Sequence, residues 1–182
     1  MTELEFELEL KKRKLQKRRQ RRIELLVVCA HVGVLLVLLY WMFGIGMVYG
    51  RSMRPAYREG DLFLYQRRFF GGPDYGDVVV IHRNGLERDI VKRIAGKPGD
   101  VIEMDGQGRL IRNGEQVNEP EVMFGEYQSG DGIPFPYTVP EGSYFCLGDN
   151  RPRSEDSREL GAFREQEIAG KVLAQLRLSA GN

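Results

Sequence analysis

Three short segments carry the residue types from which a hydrolytic site is built. The first is GRSMRPAYREGD, Gly50 to Asp61, where Ser52 lies between Gly50 and Pro55 in a tight bend. A serine hydroxyl is a poor nucleophile until another group takes its proton. Serines also occupy turns simply because their hydroxyls bond local backbone, so Ser52 must be read together with a base. His82, after the run VVVI, is one candidate. It would give a Ser-His-Asp arrangement, but no motif accompanies it, and it equally suits the end of a strand. Lys92, inside DIVKRIAG, is the other. A lysine accepts a proton only when neutral, and burial lowers its pKa toward that state. Val91, Ile94 and Ala95 offer apolar surroundings, and in a strand Lys92 and Arg93 point to opposite faces. On composition alone Lys92 also fits a solvated strand lysine. The third segment is GDNRPRSEDSR, Gly148 to Arg158, dense in Asp, Ser and Arg. Such a loop orients a base through hydroxyls and braces itself with Asp–Arg pairs, or is a solvated polar loop.

The elements that must position these residues are mostly strands. DVVVIHR (Asp77–Arg83), DIVKRIA (Asp89–Ala95) and YFCLGD (Tyr144–Asp149) are short runs rich in β-branched and aromatic residues. Val101–Val117 reads as a hairpin around Asp105–Gly108, with a second turn signal at Asn113–Gly114. Val172, Ala174, Leu176 and Leu178 alternate with polar residues at the period of a strand, and Leu173 interrupts the pattern. Phe124–Pro140, rich in Gly, Pro and aromatics, reads as a long loop outside the core. Many short strands joined by turns imply a mainly β, antiparallel, barrel-like domain.

Before that domain stands a different kind of segment. Leu25 to Ile45 is 21 residues long without a formal charge, and Tyr40, Trp41 and Phe43 sit near its far end. As a helix it is about 31 Å long, close to the thickness of a bilayer's hydrocarbon core. No A-x-A site follows it, which argues against a cleaved signal peptide. His31 lies within it without an evident partner. Residues 11 to 22 carry nine Lys and Arg. With Glu3, Glu5, Glu7 and Glu9 the first 22 residues sum to +5, leaving −4 for the rest of a chain whose net charge is +1. A mildly acidic folded part gives no support to nucleic-acid binding. The basic cluster instead predicts a cytoplasmic amino terminus drawn to anionic lipid, with the remainder outside. The expected organisation is a cytoplasmic basic tail over 1–22, a single-pass anchor over 23–48 in the plasma membrane, and an extracytoplasmic domain over 49–182. The tail ELEFELEL reads as mobile, an isolated strand having nothing to pair with. Cys29 and Cys146 lie in different parts, so no disulfide framework or metal-binding cysteine spacing is expected.

Taken together, the segments resemble the bacterial type I signal peptidases. Ser52-Met53-Arg54-Pro55 is similar to that family's Ser-Met-x-Pro box after its anchor, and Gly76-Asp77-Val78-Val79 to its Gly-Asp-x-Val box. Lys92 to Asp100, KRIAGKPGD, matches Lys-Arg-x-x-Gly-x-Pro-Gly-Asp. Gly148 through Ser154 to Asp156-Ser157-Arg158 matches the closing box, and all four lie in family order. The resemblance implies that Ser52 is the nucleophile and Lys92 the general base, that Ser154 orients the Lys92 amine, and that Asp149–Arg93 and Asp156–Arg158 are structural pairs. Met53 would pack beneath the site and help line the groove. Gly50 stands where many members carry a serine that donates to the oxyanion. The implied reaction is removal of signal peptides from secretory preproteins at the bilayer surface, near the export translocon, through an acyl-enzyme and without cofactor or metal. Two other readings are a soluble Ser-Lys autopeptidase of the repressor type and a non-catalytic membrane-anchored assembly factor. The anchor argues against the first, and the presence of both Ser52 and Lys92 against the second.

Overall fold

A computed structural model describes residues 3–67, 72–125 and 132–177. It divides into two units, Met1–Trp41 and Met42–Asn182. The first is helical: α1 runs Glu3–Met42. The helix begins within the tail read as mobile, consistent with the strong helix propensity of its Glu, Leu, Lys and Arg residues. It is the one helix among the described residues long and apolar enough to cross a membrane, and none of its apolar window is buried within the protein. It ends at Met42, three residues before the apolar run does. Phe43–Met47 instead forms β1. Gly44 and Gly46 account for the change: a Cβ on either would strike the Tyr65 or Phe63 ring, so the bare backbone lets both rings lie against the strand.

The second unit holds two antiparallel sheets. The larger contains β1, β2 (Leu62–Gln66), β3 (Val78–Ile81), β4 (Ile90–Gly96), β9 (Ser143–Leu147), β10 (Phe163–Arg164) and β11 (Ile168–Leu176). Its order is β1-β2-β11-β3-β4-β9-β10, a curled half-barrel. The smaller contains β5 (Val101–Met104), β6 (Leu110–Arg112), β7 (Glu115–Gln116) and β8 (Tyr137–Thr138) in the order β7-β6-β5-β8. A short helix α2, Ser157–Leu160, is capped by Asp156. The hairpin read from Val101–Val117 is β5–β6, and the Asn113–Gly114 signal turns β6 into β7, both residues having positive φ.

All four residues of β3 and all five of β9 are buried, because both faces of these central strands are covered. Val79 and Ile81 join Ile94, Cys146 and Phe163 in one cluster, while Val80 turns to Val48 and Phe63 on the other face. Phe145 and Leu147 pack with Ala95, Ile102, Leu110 and Val139 of the second core. Ile133, Phe135 and Tyr137 also pack there, correcting the reading of Phe124–Pro140 as a loop outside the core. Residues 126–131 of that loop, and Leu178, lie outside the described residues. The interruption at Leu173 is a bulge: β11 slips its register against β2 between Val172 and Ala174.

Candidate active site

Ser52 follows β1 by five residues in a short coil. Val48 N–H donates to the Asp61 carbonyl (2.9 Å) and Gly60 N–H to the Val48 carbonyl (2.9 Å), closing the segment 48–61 on itself. Asp61, buried, accepts the Arg58 N–H at 2.8 Å and pins the same loop. Met53 is buried beneath it, its carbonyl accepting from Tyr57 N–H at 2.8 Å. Gly50 has φ +82 and open space where a side chain would stand. The loop is clamped from across the fold by Asn150. Its backbone N–H donates to the Ser52 carbonyl (2.9 Å) and its side chain to the Arg51 carbonyl (3.0 Å).

Lys92 is fixed by β4. It pairs with Val79, and the β4–β9 ladder pairs Ile94 with Cys146 and Arg93 with Leu147. The ladder's last pair is Arg93–Leu147, so Lys92 and Gly148 are the residues that follow it on the two segments. Lys92 shares its face with Ile94, which is paired with Cys146. Gly148 has no Cβ, and the space that one would occupy is taken. It would collide with the Ser154 hydroxyl and lie 2.5 Å from Ser154 Cβ and 2.7 Å from the Ser52 carbonyl oxygen. Ser154 Cβ and that oxygen are therefore at most 5.2 Å apart, the sum of the two distances. Ser154 and the Ser52 backbone thus converge on one glycine, one residue past the last β4–β9 pair.

Lys92 is 3% exposed. Burial is the main cause that lowers its pKa; Asp156 and Glu155 oppose the shift, and Arg158 adds to it. Ser154 Oγ is buried and forms no hydrogen bond, with Lys92 or any other group among the described residues. Asp156 is buried and accepts from the Arg158 guanidinium at 2.8 and 3.0 Å and from the Gly148 N–H at 2.9 Å. Arg158 also donates to the Arg151 and Ser154 carbonyls. Arg93, on the opposite face of β4, grips Asp149 with two bonds of 2.8 and 2.7 Å and reaches Glu121 at 3.0 Å. Cys146 lies in the core with its thiol pKa pushed up by burial, which removes it as a nucleophile.

His82, the other candidate base, is paired with Asp89 at 2.7 Å and is well exposed. It sits at the β3–β4 hairpin end, three residues along the strand from the level of Lys92, or about 10 Å. It continues the parity of Val80, the face away from Lys92. The sequence did not single out Asn150, Arg151 or Glu119 for the work they do here. Asn150 and Arg151 stood inside the quoted closing box, but nothing local marks Glu119.

The family model described as "Signal peptidase, peptidase S26" matches residues 21–176. Signal peptidase I of Bacillus licheniformis is 37% identical over 150 residues, covering 76% of this chain and 80% of that protein. Signal peptidase IB of Staphylococcus aureus is 35% identical over 139 residues, covering 68% and 72%. A crystal structure of a signal peptidase I from Enterococcus faecalis V583 is similar at 28% identity, covering 58% of this chain and all of that one with a TM-score of 0.47. A match that runs from the basic tail to the last strand, joined to relatives aligned over more than two thirds of both lengths, makes this chain a member of the S26 signal peptidases.

Proposed function

We propose that the chain cleaves signal peptides from secretory preproteins, with Ser52 as nucleophile and Lys92 as general base. The observation that carries the reading is the buried Lys92 beside the last β4–β9 pair, just beyond which Gly148 meets Ser154 and the Ser52 carbonyl. Burial favours the neutral amine, the only form able to take the Ser52 proton. Ser52 Oγ then attacks the scissile carbonyl, an acyl-enzyme forms, and water activated by Lys92 releases it. The Ser154 hydroxyl, buried and unbonded, has a donor and an acceptor free to hold that amine in line. The Ser52 N–H serves the oxyanion, and Gly50 adds no side-chain donor. Asp156 and Arg158 hold the loop that carries Ser154, and Asp149 with Arg93 holds the start of that loop to β4.

The domain boundaries follow the same reading: a cytoplasmic tail over 1–22, the anchor over 23–48 and the catalytic part over 49–182. The charge bias of the tail supports this orientation. The outer face of β1, β2 and β11 exposes Ile45 across from Leu64, and Met47 and Leu176 flank Leu62, an apolar surface suited to lipid. A signal peptide presents its cleavage site just beyond its own apolar core, so substrate and enzyme meet at one depth near the translocon.

The test is processing of a preprotein by the full chain in detergent, with Ser52→Ala and Lys92→Ala beside the wild type. Loss of cleavage in both, and a wild-type rate that climbs with pH as Lys92 loses its proton, supports the reading. Equal processing by all three ends it.

A further inference from the structure

Arg151 belongs to no step of the mechanism above, yet it is 3% exposed and its guanidinium binds three separate segments. Nε donates to the Gly148 carbonyl at 3.1 Å and Nη1 to the Gly108 carbonyl at 3.0 Å. Nη2 donates to Glu119 Oε1 at 2.5 Å, and the two side chains are 2% and 10% exposed. Gly108 lies in the β5–β6 turn of the smaller sheet. Glu119 opens a segment, residues 119–123, that lies along the start of the closing loop. There Met123 N–H donates to the Asp149 carbonyl (2.7 Å) and Arg151 N–H to the Met123 carbonyl (3.1 Å).

We infer that Arg151, held by Glu119, is a positioning residue that fixes Gly148, and through it the spacing of Ser52, Lys92 and Ser154. The inference rests on the Ser52–Lys92 reading. Its physical basis is direct. Gly148 has no spare room, since a Cβ there would meet Ser154 and the Ser52 carbonyl oxygen. Its N–H is held by Asp156 and its carbonyl by Arg151, so the peptide groups on either side of its Cα are anchored by buried charge. A charge-assisted bond to a buried guanidinium is stronger and stiffer than a neutral one. Releasing it lets the glycine shift, and displacement near 1 Å at a reacting centre costs about 10²-fold in rate. The smaller sheet thereby becomes part of the catalytic geometry through Gly108 and Glu119.

The test compares Arg151→Met, Glu119→Ala, Glu119→Gln and the double variant Arg151→Met/Glu119→Ala, as full chains in detergent with a preprotein. Rates are expressed per folded molecule, from thermal unfolding in the same detergent. Arg151→Met is expected to lose about 10²-fold in kcat with KM unchanged. Glu119→Ala falls between it and wild type, and Glu119→Gln, which keeps the acceptor oxygen, recovers most of the loss. The double variant is no worse than Arg151→Met alone, since Glu119 acts through it. The pH at which the rate rises stays put, because the Lys92 amine is acted on by its burial first and then by Asp156, Glu155, Arg158 and Cys146, none of which these variants replace. Lowered melting with wild-type kcat per folded molecule would make Arg151 merely structural and overturn the inference, as would additive losses in the double variant. Should Arg151→Met not fold, Glu119→Ala against Glu119→Gln decides the same question. Ser52→Ala runs alongside: if it cleaves normally the Ser-Lys reading fails, whereas its inactivity beside undiminished Arg151 and Glu119 variants sinks the positioning role alone.

Discussion

Replacing Gly148 with alanine adds one methyl group at the point where the Lys92, Ser154 and Ser52 segments meet. The backbone there is not in the left-handed region, so alanine meets no conformational penalty and any effect is steric. The new Cβ would lie 2.5 Å from Ser154 Cβ and 2.7 Å from the Ser52 carbonyl oxygen. Carbon contacts are comfortable at about 3.5–4.0 Å, so something must move by roughly 1 Å. Ser154 Oγ can rotate away, but the Ser52 oxygen belongs to backbone that Asn150 holds at 2.9 Å. Overpacking of this kind costs about 1–3 kcal/mol of stability. The larger effect falls on chemistry: with Ser52 displaced by about 1 Å, kcat is expected to fall about 10²-fold. The assay is preprotein cleavage at saturating substrate, paired with thermal unfolding. Gly106→Ala is the control, since nothing lies within 4 Å of its added Cβ. Its stability should stay within about 0.5 kcal/mol of wild type. Adding Ser154→Ala to Gly148→Ala removes the hydroxyl collision but not the Ser52 contact, so cleavage does not return. Wild-type kcat and melting in Gly148→Ala would refute the crowded geometry and the convergence drawn from it.

Lys92→Met should abolish cleavage while leaving the fold as stable or more so, because the wild type buries an amine whose pKa is lowered. The sign is fixed: between the lowered folded value and the unfolded value near 10.4 the unfolded chain binds more protons, so this group makes stability rise with pH. Denaturant titrations across that range should show the slope in wild type and its loss in Lys92→Met. Arg158→Ala leaves the fully buried Asp156 carboxylate without its ion-pair partner and should cost about 3–5 kcal/mol, read as a drop in melting temperature. Cys146 should resist iodoacetamide at pH 8 until the protein is unfolded, since it is wholly buried with its pKa raised, and mass spectrometry would detect early labelling.

What could be read in the sequence follows from how local each signal is. β3, β4, β9 and β11 announce themselves through β-branched and alternating residues, and Leu173 marks its own bulge as a break in the alternation. β1 was hidden because an apolar run serves a lipid-facing helix and a paired strand equally well. Gly44 and Gly46, alternating within it, were the available sign of rings packed on bare backbone. Ser52 and Lys92 were legible as types and motifs, but the arrangement of the segments around them was not. That arrangement depends on the β4–β9 ladder, whose last pair adjoins Lys92 and Gly148, and on Asn150 reaching back across 98 positions to the Ser52 carbonyl. Glu119 was invisible for the same reason, its partner Arg151 standing 32 residues away. A sequence can thus name the groups proposed to react while the groups that hold them apart stay silent, since holding is done by register and by ion pairs between distant segments. On the proposed mechanism, that division leaves the chemistry to Ser52 and Lys92 and its precision to a glycine without a side chain and the charges anchoring it.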